Sequence, residues 1–310
     1  MLKKDALKNS GVRKIVPALL VALAAAGCGP AGSDEAGSAA RPPLPKKNFV
    51  AADPATWTLP IEAYLPTDDD EQQVKKARTL LVGDCMKDLG FDWRPAPDLP
   101  KLGPKTLTDW RYGIHDAVLA KKRGYKPDAA EQAAYDRVMS QGAVEDTTEE
   151  GAEGKALNGG VAEVGGKAVP KGGCLGQANQ KISDGALERT AKAQEIANDA
   201  FTRSKRESKV IKAFAAWSSC MKEHGYNYKE PLDASDDSRF SSPEVTKLEI
   251  ATATADIACR DRTHVAKIWF DAESELQKQA IDKNIEELVE ARKSLDDTIK
   301  KAARVLGGAK

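Results

Sequence analysis

The sequence has little of what usually marks an enzyme or a nucleic-acid-binding protein. Histidine occurs only three times, aromatic residues make up 5% of the chain, and 47 basic residues balance 47 acidic ones. This balance leaves no general excess of positive charge to attract nucleic acid. No serine stands in a nucleophile elbow, and the stretch "GGKAV" at residues 165–169 lacks the full spacing of a P-loop. We therefore expect a non-enzymatic protein without a cofactor, and keep an enzyme with an unrecognised site as the third possibility.

Long apolar runs are also absent. The uncharged stretch "IVPALLVALAAAG" at residues 15–27 is shorter than the roughly 20 residues that a membrane-spanning helix needs. The preceding segment carries Lys3, Lys4, Lys8, Arg13 and Lys14 against a single acid. A basic segment, a short apolar segment and then small residues are typical of an export signal. The sequence therefore predicts a signal peptide at residues 1–27.

The residues at the end of this signal resemble the bacterial lipobox. Ala25, Ala26 and Gly27 precede Cys28, and the lipobox pattern prefers leucine at the position that Ala25 holds. The resemblance implies that Cys28 is acylated. Because stable anchoring takes more than one acyl chain, a diacylated Cys28 would hold the mature protein at the extracytoplasmic face of the cell membrane. A plain secretory signal, cut near Ala26, is the alternative. Without the signal, 42 basic and 46 acidic residues remain.

Composition divides the exported part into a tether and two units. Residues 28–60 are rich in glycine, alanine, serine and proline, which predicts a disordered tether. The first helical unit is expected at residues 61–182 and includes a long glycine-rich loop at residues 142–173. The second helical unit is expected at residues 183–310.

A repeated motif links the two units. The stretch "CMKDLGFDW" begins at Cys85, and "CMKEHGYNY" begins at Cys220. In both, a helical pattern ends at a glycine that is followed by an aromatic residue, which is the pattern of a left-handed helix cap with a side chain folded back on the last turn. The repeat thus predicts two helices with equivalent ends, each with a cysteine in its last turns.

Four cysteines remain besides Cys28, and an oxidising compartment favours their pairing. Three pairings are possible. The repeat favours Cys85 with Cys174 and Cys220 with Cys259, because each bridge then ties a capped helix end to a later helix of its own unit.

The fold is expected to be mainly α, with a long antiparallel helical hairpin at the C-terminus. Residues 185–224 and 243–306 have helical patterns throughout. Apolar residues recur at alternating steps of four and three in the second arm, which is typical of a coiled-coil seam. This seam comprises Ile281, Ile285, Leu288, Leu295, Ile299, Ala302 and Leu306.

Two further groups of residues are candidates for a binding site. Cys220, His224, Cys259 and His264 could form an alternative Cys₂His₂ metal site, since Cys220 and His224 fall on one helix face. Separately, Trp93 and Trp110 lie in predicted loops and could form the wall of a ligand pocket. We expect His115 to be a residue of a turn or helix start.

The motifs together resemble those of a group of uncharacterised actinobacterial lipoproteins with repeated Cys-Met-x-x-x-Gly-aromatic units. The resemblance spans most of residues 65–275 and implies an envelope lipoprotein, without implying catalytic residues. We expect a binding or interaction module that meets an envelope protein or cell-wall partner through its long helical hairpin or through a cleft between helices. The alternative is a solute-binding accessory lipoprotein of a transport system, with a pocket between the two units.

Overall fold

Helices dominate the computed structural model, which describes residues 41–142, 151–183 and 190–308. These ranges contain ten α-helices and a single two-stranded sheet, and the mainly α fold predicted from the sequence is confirmed. The predicted signal peptide, Cys28 and the first part of the tether lie outside the described residues. No helix in the described ranges combines the length and the apolar character needed to cross a membrane.

Five helices and the small sheet form the first part of the described chain. The helices are α1 (Asp68–Leu89), α2 (Ala117–Arg123), α3 (Ala129–Ser140), α4 (Ala152–Asn158) and α5 (Gly173–Ile182). Strands β1 (Glu163–Val164) and β2 (Lys167–Ala168) pair antiparallel between α4 and α5, with Glu163 opposite Ala168. The later helices are α6 (Ala191–Ser204), α7 (Ser208–Glu223), α8 (Lys247–Thr263), α9 (Val265–Lys283) and α10 (Ile285–Gly308).

The two copies of the repeated motif end their helices in the same way. Gly90 after α1 and Gly225 after α7 have φ angles of 95° and 86°, which residues with a Cβ atom rarely adopt. The next residue then reaches back: the N–H of Phe91 donates to the carbonyl of Met86 and that of Tyr226 to the carbonyl of Met221, both at 2.9 Å. This bond satisfies a carbonyl that the last helical turn would otherwise leave unpaired.

Both disulfides favoured by the repeat are present. Cys85 on α1 is bonded to Cys174 on α5, and Cys220 on α7 is bonded to Cys259 on α8. Their Cα atoms are 5.7 and 5.6 Å apart, and all four cysteines are buried. Each bridge therefore joins a capped helix end to a later helix inside the core.

The arms of the predicted hairpin are broken into shorter helices. The first arm is interrupted at Glu207, whose backbone is extended, and α6 and α7 then both pack on α9. The second arm is interrupted at His264, which has a φ angle of 52°, and again at Asn284. These breaks redirect the chain, so that α8 packs on α7 while α10 leaves the hairpin.

Most of the C-terminal seam packs within the chain itself, which weakens the case for the hairpin as a docking surface. Leu288, Leu295 and Ala302 are buried. Ala302 and Ile299 of α10 form one apolar cluster with Val74 of α1, and Leu288 packs near Leu59 in another. The periodic pattern did indicate a buried face, but its partners are far away in the sequence.

The last part of the predicted tether is folded. Trp57 and Leu59 are buried, and Pro54–Thr56 and Pro60–Tyr64 form short 3₁₀ helices. The Trp57 ring lies 4.9 Å from that of Phe270 in α9. The large apolar surfaces of these residues outweigh the polar composition around them, so the folded part begins before residue 60.

Two boundaries within the folded part also differ from the prediction. Residues 151–173 of the expected glycine-rich loop contain α4 and the β1–β2 hairpin, because Ala156 packs with Cys174 and Val82 in an apolar cluster. The division between residues 61–182 and 183–310 is not observed either. Helix α1 packs on α10 and α2 packs on α8, so Ala39–Lys310 forms one compact unit.

Candidate functional site

One face of α1 provides the base of the candidate site. Lys75, Arg78, Thr79 and Val82 follow one another at helical steps of three, one and three residues, so their side chains project from the same side. The adjacent face, with Val74 and Ala77, packs against α10. Helix α1 therefore packs on the core along one face and lines the clefts along the neighbouring one.

The loop that follows the Gly90 cap forms the wall of the site. It returns along α1 and places the six-membered ring of Trp93 over Gly83, about 4.0 Å from where a side-chain Cβ would stand. Pro95, Ala96 and Pro97 continue the wall. Proline restricts the backbone of this loop, which favours a fixed position for the half-buried Trp93.

The Cys85–Cys174 disulfide completes the site from the other side. It fixes the start of α5 against α1, and Leu175, the residue after the bridge, lines the cleft opposite the loop. The cleft has a volume of about 340 Å³, which falls in the range of small-molecule sites. It lies within the first disulfide-bridged pair of helices and not between two units.

A second cleft of about 280 Å³ shares Lys75 and Arg78 with the first. Pro66 and Glu71 line it at the start of α1, and Leu295 of α10 forms its apolar side. The two clefts therefore flank one pair of cationic side chains. Together they form a groove along α1, which we call the α1 groove.

Lys75 and Arg78 set the charge of the Trp93 cleft, whereas Asp70 and Glu71 also line the second cleft. The nine residues that line the Trp93 cleft include two cations, Lys75 and Arg78, and no acid. Lys75 forms an ion pair with Asp98 at the rim. Arg78 is half-buried and has no hydrogen-bond or ion-pair partner among the residues that the structure describes. A planar guanidinium in this state can bind a carboxylate or phosphate through two parallel hydrogen bonds.

Comparison of the chain with protein-family models, with curated proteins and with solved structures found no match. The chemistry of the site therefore has to come from its own residues.

The two tryptophans expected to form a ligand wall lie in different places. Trp93 lines the α1 groove. Trp110 packs instead beside Ile114 and Ile257, with its ring over Gly103, and it has a positive φ angle of 61°. A shared wall of Trp93 and Trp110 is therefore not observed, because the loops that carry them pack on different helices.

The alternative metal site is contradicted by the second disulfide. Cys220, His224 and Cys259 do bring their donor atoms within 4.8 Å of one another. However, the two sulfur atoms are bonded to each other, and a disulfide sulfur is not the thiolate that binds zinc. His264 lies at the junction of α8 and α9 and is not part of the group.

His115 connects two loops through carboxylates. Its Nε2 atom lies 2.8 Å from Oδ1 of Asp109, and its Nδ1 atom lies 3.4 Å from Oδ1 of Asp53. Burial alone would raise the pKa of Asp109, but hydrogen bonds from His115 and from the backbone N–H of Lys105 outweigh it and lower this pKa. His115 lies directly before Asp116, the N-cap of α2, and its contacts tie the Asp53 loop to the Asp109 loop.

The widest of the described clefts offers less binding chemistry than the α1 groove. It has a volume of about 520 Å³ and is bordered by the N-terminal segment and by the loop before α2. Its cations are Lys47, Lys101 and Lys105, and each is paired with a carboxylate, from Glu62, Asp68 and Glu131 respectively. A ligand would have to displace those partners.

The sequence indicated Trp93 as a candidate binding residue, but it gave no such indication for Arg78. Its position next to Lys75 and Lys76 resembles that of any charged residue on a solvated helix face. Arg78 differs from those residues because it has no hydrogen-bond or ion-pair partner among the described residues and lies beside an apolar wall. Both features depend on the path of residues 91–98 across α1.

Proposed function

We propose that this chain is a lipid-anchored extracytoplasmic binding protein whose α1 groove binds an acidic saccharide of the cell envelope. The unpaired Arg78 beside Trp93 is the observation that carries this proposal. The guanidinium supplies a cationic partner for a carboxylate or phosphate. The exposed side of the Trp93 ring supplies a flat apolar surface on which a sugar ring can lie.

The location is supported by independent features of the chain. Disulfides persist in oxidising compartments outside the cytoplasm, and the two bridges are buried parts of the core. The basic and apolar segments at residues 1–27 and the lipobox-like residues before Cys28 favour export followed by acylation. The lining of the Trp93 cleft has no carboxylate, histidine or cysteine, which favours binding over catalysis there.

The form of the groove favours a polymer over a single small solute. Two adjacent clefts of about 340 and 280 Å³ share the same two cations. An acidic sugar could occupy the Trp93 cleft and meet Arg78 and Lys75. A neutral neighbour in the same chain would then occupy the second cleft, which Asp70 and Glu71 also line. A solute-binding role for a transport system would use the same residues with a shorter ligand.

The proposal can be tested by calorimetric titration with three probes: oligogalacturonate, poly(glycerol phosphate) and a neutral chito-oligosaccharide. We expect at least one acidic probe to bind and the neutral one to bind far more weakly. Arg78→Ala should weaken binding by about ten- to a hundredfold, since a hydrogen bond to a charged group contributes about 1.5–3 kcal/mol. Trp93→Ala should weaken it to a comparable degree.

Lys76→Ala is the matched control. Lys76 is exposed on the same helix and carries the same charge, but it lines neither cleft. Its loss should change the affinity less than about twofold, apart from a small general effect of net charge. Absence of binding by both acidic probes, or equal losses in the Arg78 and Lys76 variants, would refute the proposed site.

A further inference from the structure

A cluster of exposed apolar side chains marks the segment that follows the predicted anchor. Seven large apolar side chains are exposed among the described residues, and three of them lie within residues 44–50. Leu44 is 49% exposed, Phe49 60% and Val50 50%. Single exposed apolar residues are common on protein surfaces, whereas a concentration of them indicates a contact site.

The loop that presents Phe49 and Val50 is held in place by the core. The N–H of Val50 donates to Oγ1 of Thr56 at 2.8 Å, and its carbonyl accepts a hydrogen bond from the buried Trp57 indole at 3.1 Å. Lys47 donates to the carbonyl of Trp57 at 2.9 Å and to Glu62 at 2.7 Å. The exposure of Phe49 is therefore a property of an ordered loop.

The charge around these side chains is positive. Residues 41–50 contain Arg41, Lys46 and Lys47 and no acid. Arg41 pairs with Asp282 and Lys47 with Glu62. Lys46 is exposed and has no partner among the residues described. A basic side chain next to exposed aromatic and aliphatic ones matches the polar and apolar layers of an anionic membrane surface.

The position of the segment in the chain favours the same partner. Twelve residues separate Cys28 from Arg41, so the chain between them cannot span more than about 45 Å even when fully extended. An acyl chain on Cys28 would therefore hold residues 44–50 near the bilayer at all times, which raises their effective concentration at its surface.

We propose that Leu44, Lys46, Phe49 and Val50 form a membrane-contact patch that inserts into the headgroup region of an anionic bilayer and orients the domain on it. The proposal rests on the anchoring part of the proposed function and is independent of the ligand in the α1 groove. The proposed partner of the patch is lipid. The alternative partner, which the test below distinguishes, is a second copy of the chain.

The test uses the mature chain with Cys28→Ser, which removes the site of acylation, and with Asn48→Cys for labelling. The four remaining cysteines are bonded in disulfides, so an environment-sensitive dye attaches at position 48 alone. With phosphatidylglycerol vesicles we expect a blue shift and co-sedimentation, both weaker with phosphatidylcholine vesicles. Phe49→Ala with Val50→Ala should lower the partition coefficient at least about tenfold, since each side chain loses apolar contact with lipid.

Val118→Ala with Ile211→Ala is the matched control, because both side chains are more than half exposed but lie on α2 and α7. It should leave partitioning unchanged. The acylated protein with the same dye in phosphatidylglycerol proteoliposomes gives a second measurement, in which brominated lipids should quench the dye. Absence of both the shift and the quenching would overturn the proposal, as would a concentration-dependent dimer that the Phe49 and Val50 changes abolish.

These outcomes separate the patch from the anchor. Mass spectrometry of the native protein reports acylation of Cys28 whether or not the patch touches lipid. If the native chain carries no acyl group and the Cys28→Ser variant still partitions through Phe49, the anchor is contradicted and the patch is kept.

Discussion

Removing the two disulfides one at a time should separate the stability of the fold from the integrity of the α1 groove. We consider the double variants Cys85→Ala/Cys174→Ala and Cys220→Ala/Cys259→Ala. The bridges close chain segments with sequence separations of 89 and 39 residues. Loop-closure entropy then predicts losses of about 4.6 and about 3.9 kcal/mol in the free energy of unfolding.

These losses correspond to measurable changes in melting temperature. The compact unit Ala39–Lys310 has an expected unfolding entropy of about 0.57 kcal/mol/K, at roughly 2.1 cal/mol/K per residue. Both variants should therefore melt about 7–8 °C below the parent in oxidising buffer. Differential scanning calorimetry of the parent and the two variants provides the comparison.

Ligand binding should distinguish the two variants although their stabilities are similar. The Cys85–Cys174 bridge holds α5, with Leu175, against the base of the α1 groove, whereas the Cys220–Cys259 bridge joins helices that do not line the groove. At a temperature where both variants are folded, the first should bind the acidic probe at least about tenfold more weakly than the parent, and the second should bind like the parent. Unchanged melting temperatures would refute the bridges, and equal losses of affinity would refute the local role of Leu175.

Two further predictions concern buried polar contacts. Arg111→Met should lower the free energy of unfolding by about 3–5 kcal/mol in urea titrations, since it leaves the fully buried Glu273 without its ion-pair partner at 2.7 Å. Arg111→Met with Glu273→Gln should cost clearly less, because the uncharged amide still offers Tyr112 and Gln277 an acceptor. An equal or larger cost in the double variant would contradict this. Asp109→Asn should lower the free energy of unfolding by about 1.5–3 kcal/mol at neutral pH. Because the folded-state pKa of Asp109 is lowered below 3.8, this difference from the parent should vanish as the pH falls through that lowered pKa. A difference that persists at the lowest pH at which the protein stays folded would count against this reasoning.

Local patterns in the sequence were sufficient to predict the helix ends and the disulfides. A glycine and an aromatic residue at a fixed distance from each cysteine define the cap geometry, and the distance is the same in both copies. Pairing within each copy then follows from the order of the cysteines. These features depend on residues close together in the chain, which is why they could be predicted.

Long-range packing could not be predicted in the same way. The seam indicated a buried face, but an apolar face does not specify its partners, which are α1 and the segment around Leu59. Composition predicted a tether up to residue 60, whereas the buried Trp57 and Leu59 begin the folded part earlier. The unpaired state of Arg78 was equally inaccessible, because it depends on where residues 91–98 lie after folding.

Helix α1 links the C-terminal seam to the α1 groove. Its apolar residues Val74 and Ala77 pack on Ile299 and Ala302 of α10, while Lys75 and Arg78 line the groove. Because adjacent faces of one helix perform these two roles, the position of the cationic side chains depends on the seam. Leu295 of α10 also lines the second cleft directly. The seam that the sequence suggested as a docking surface therefore acts from inside the protein: it fixes the helix on which a ligand would be bound.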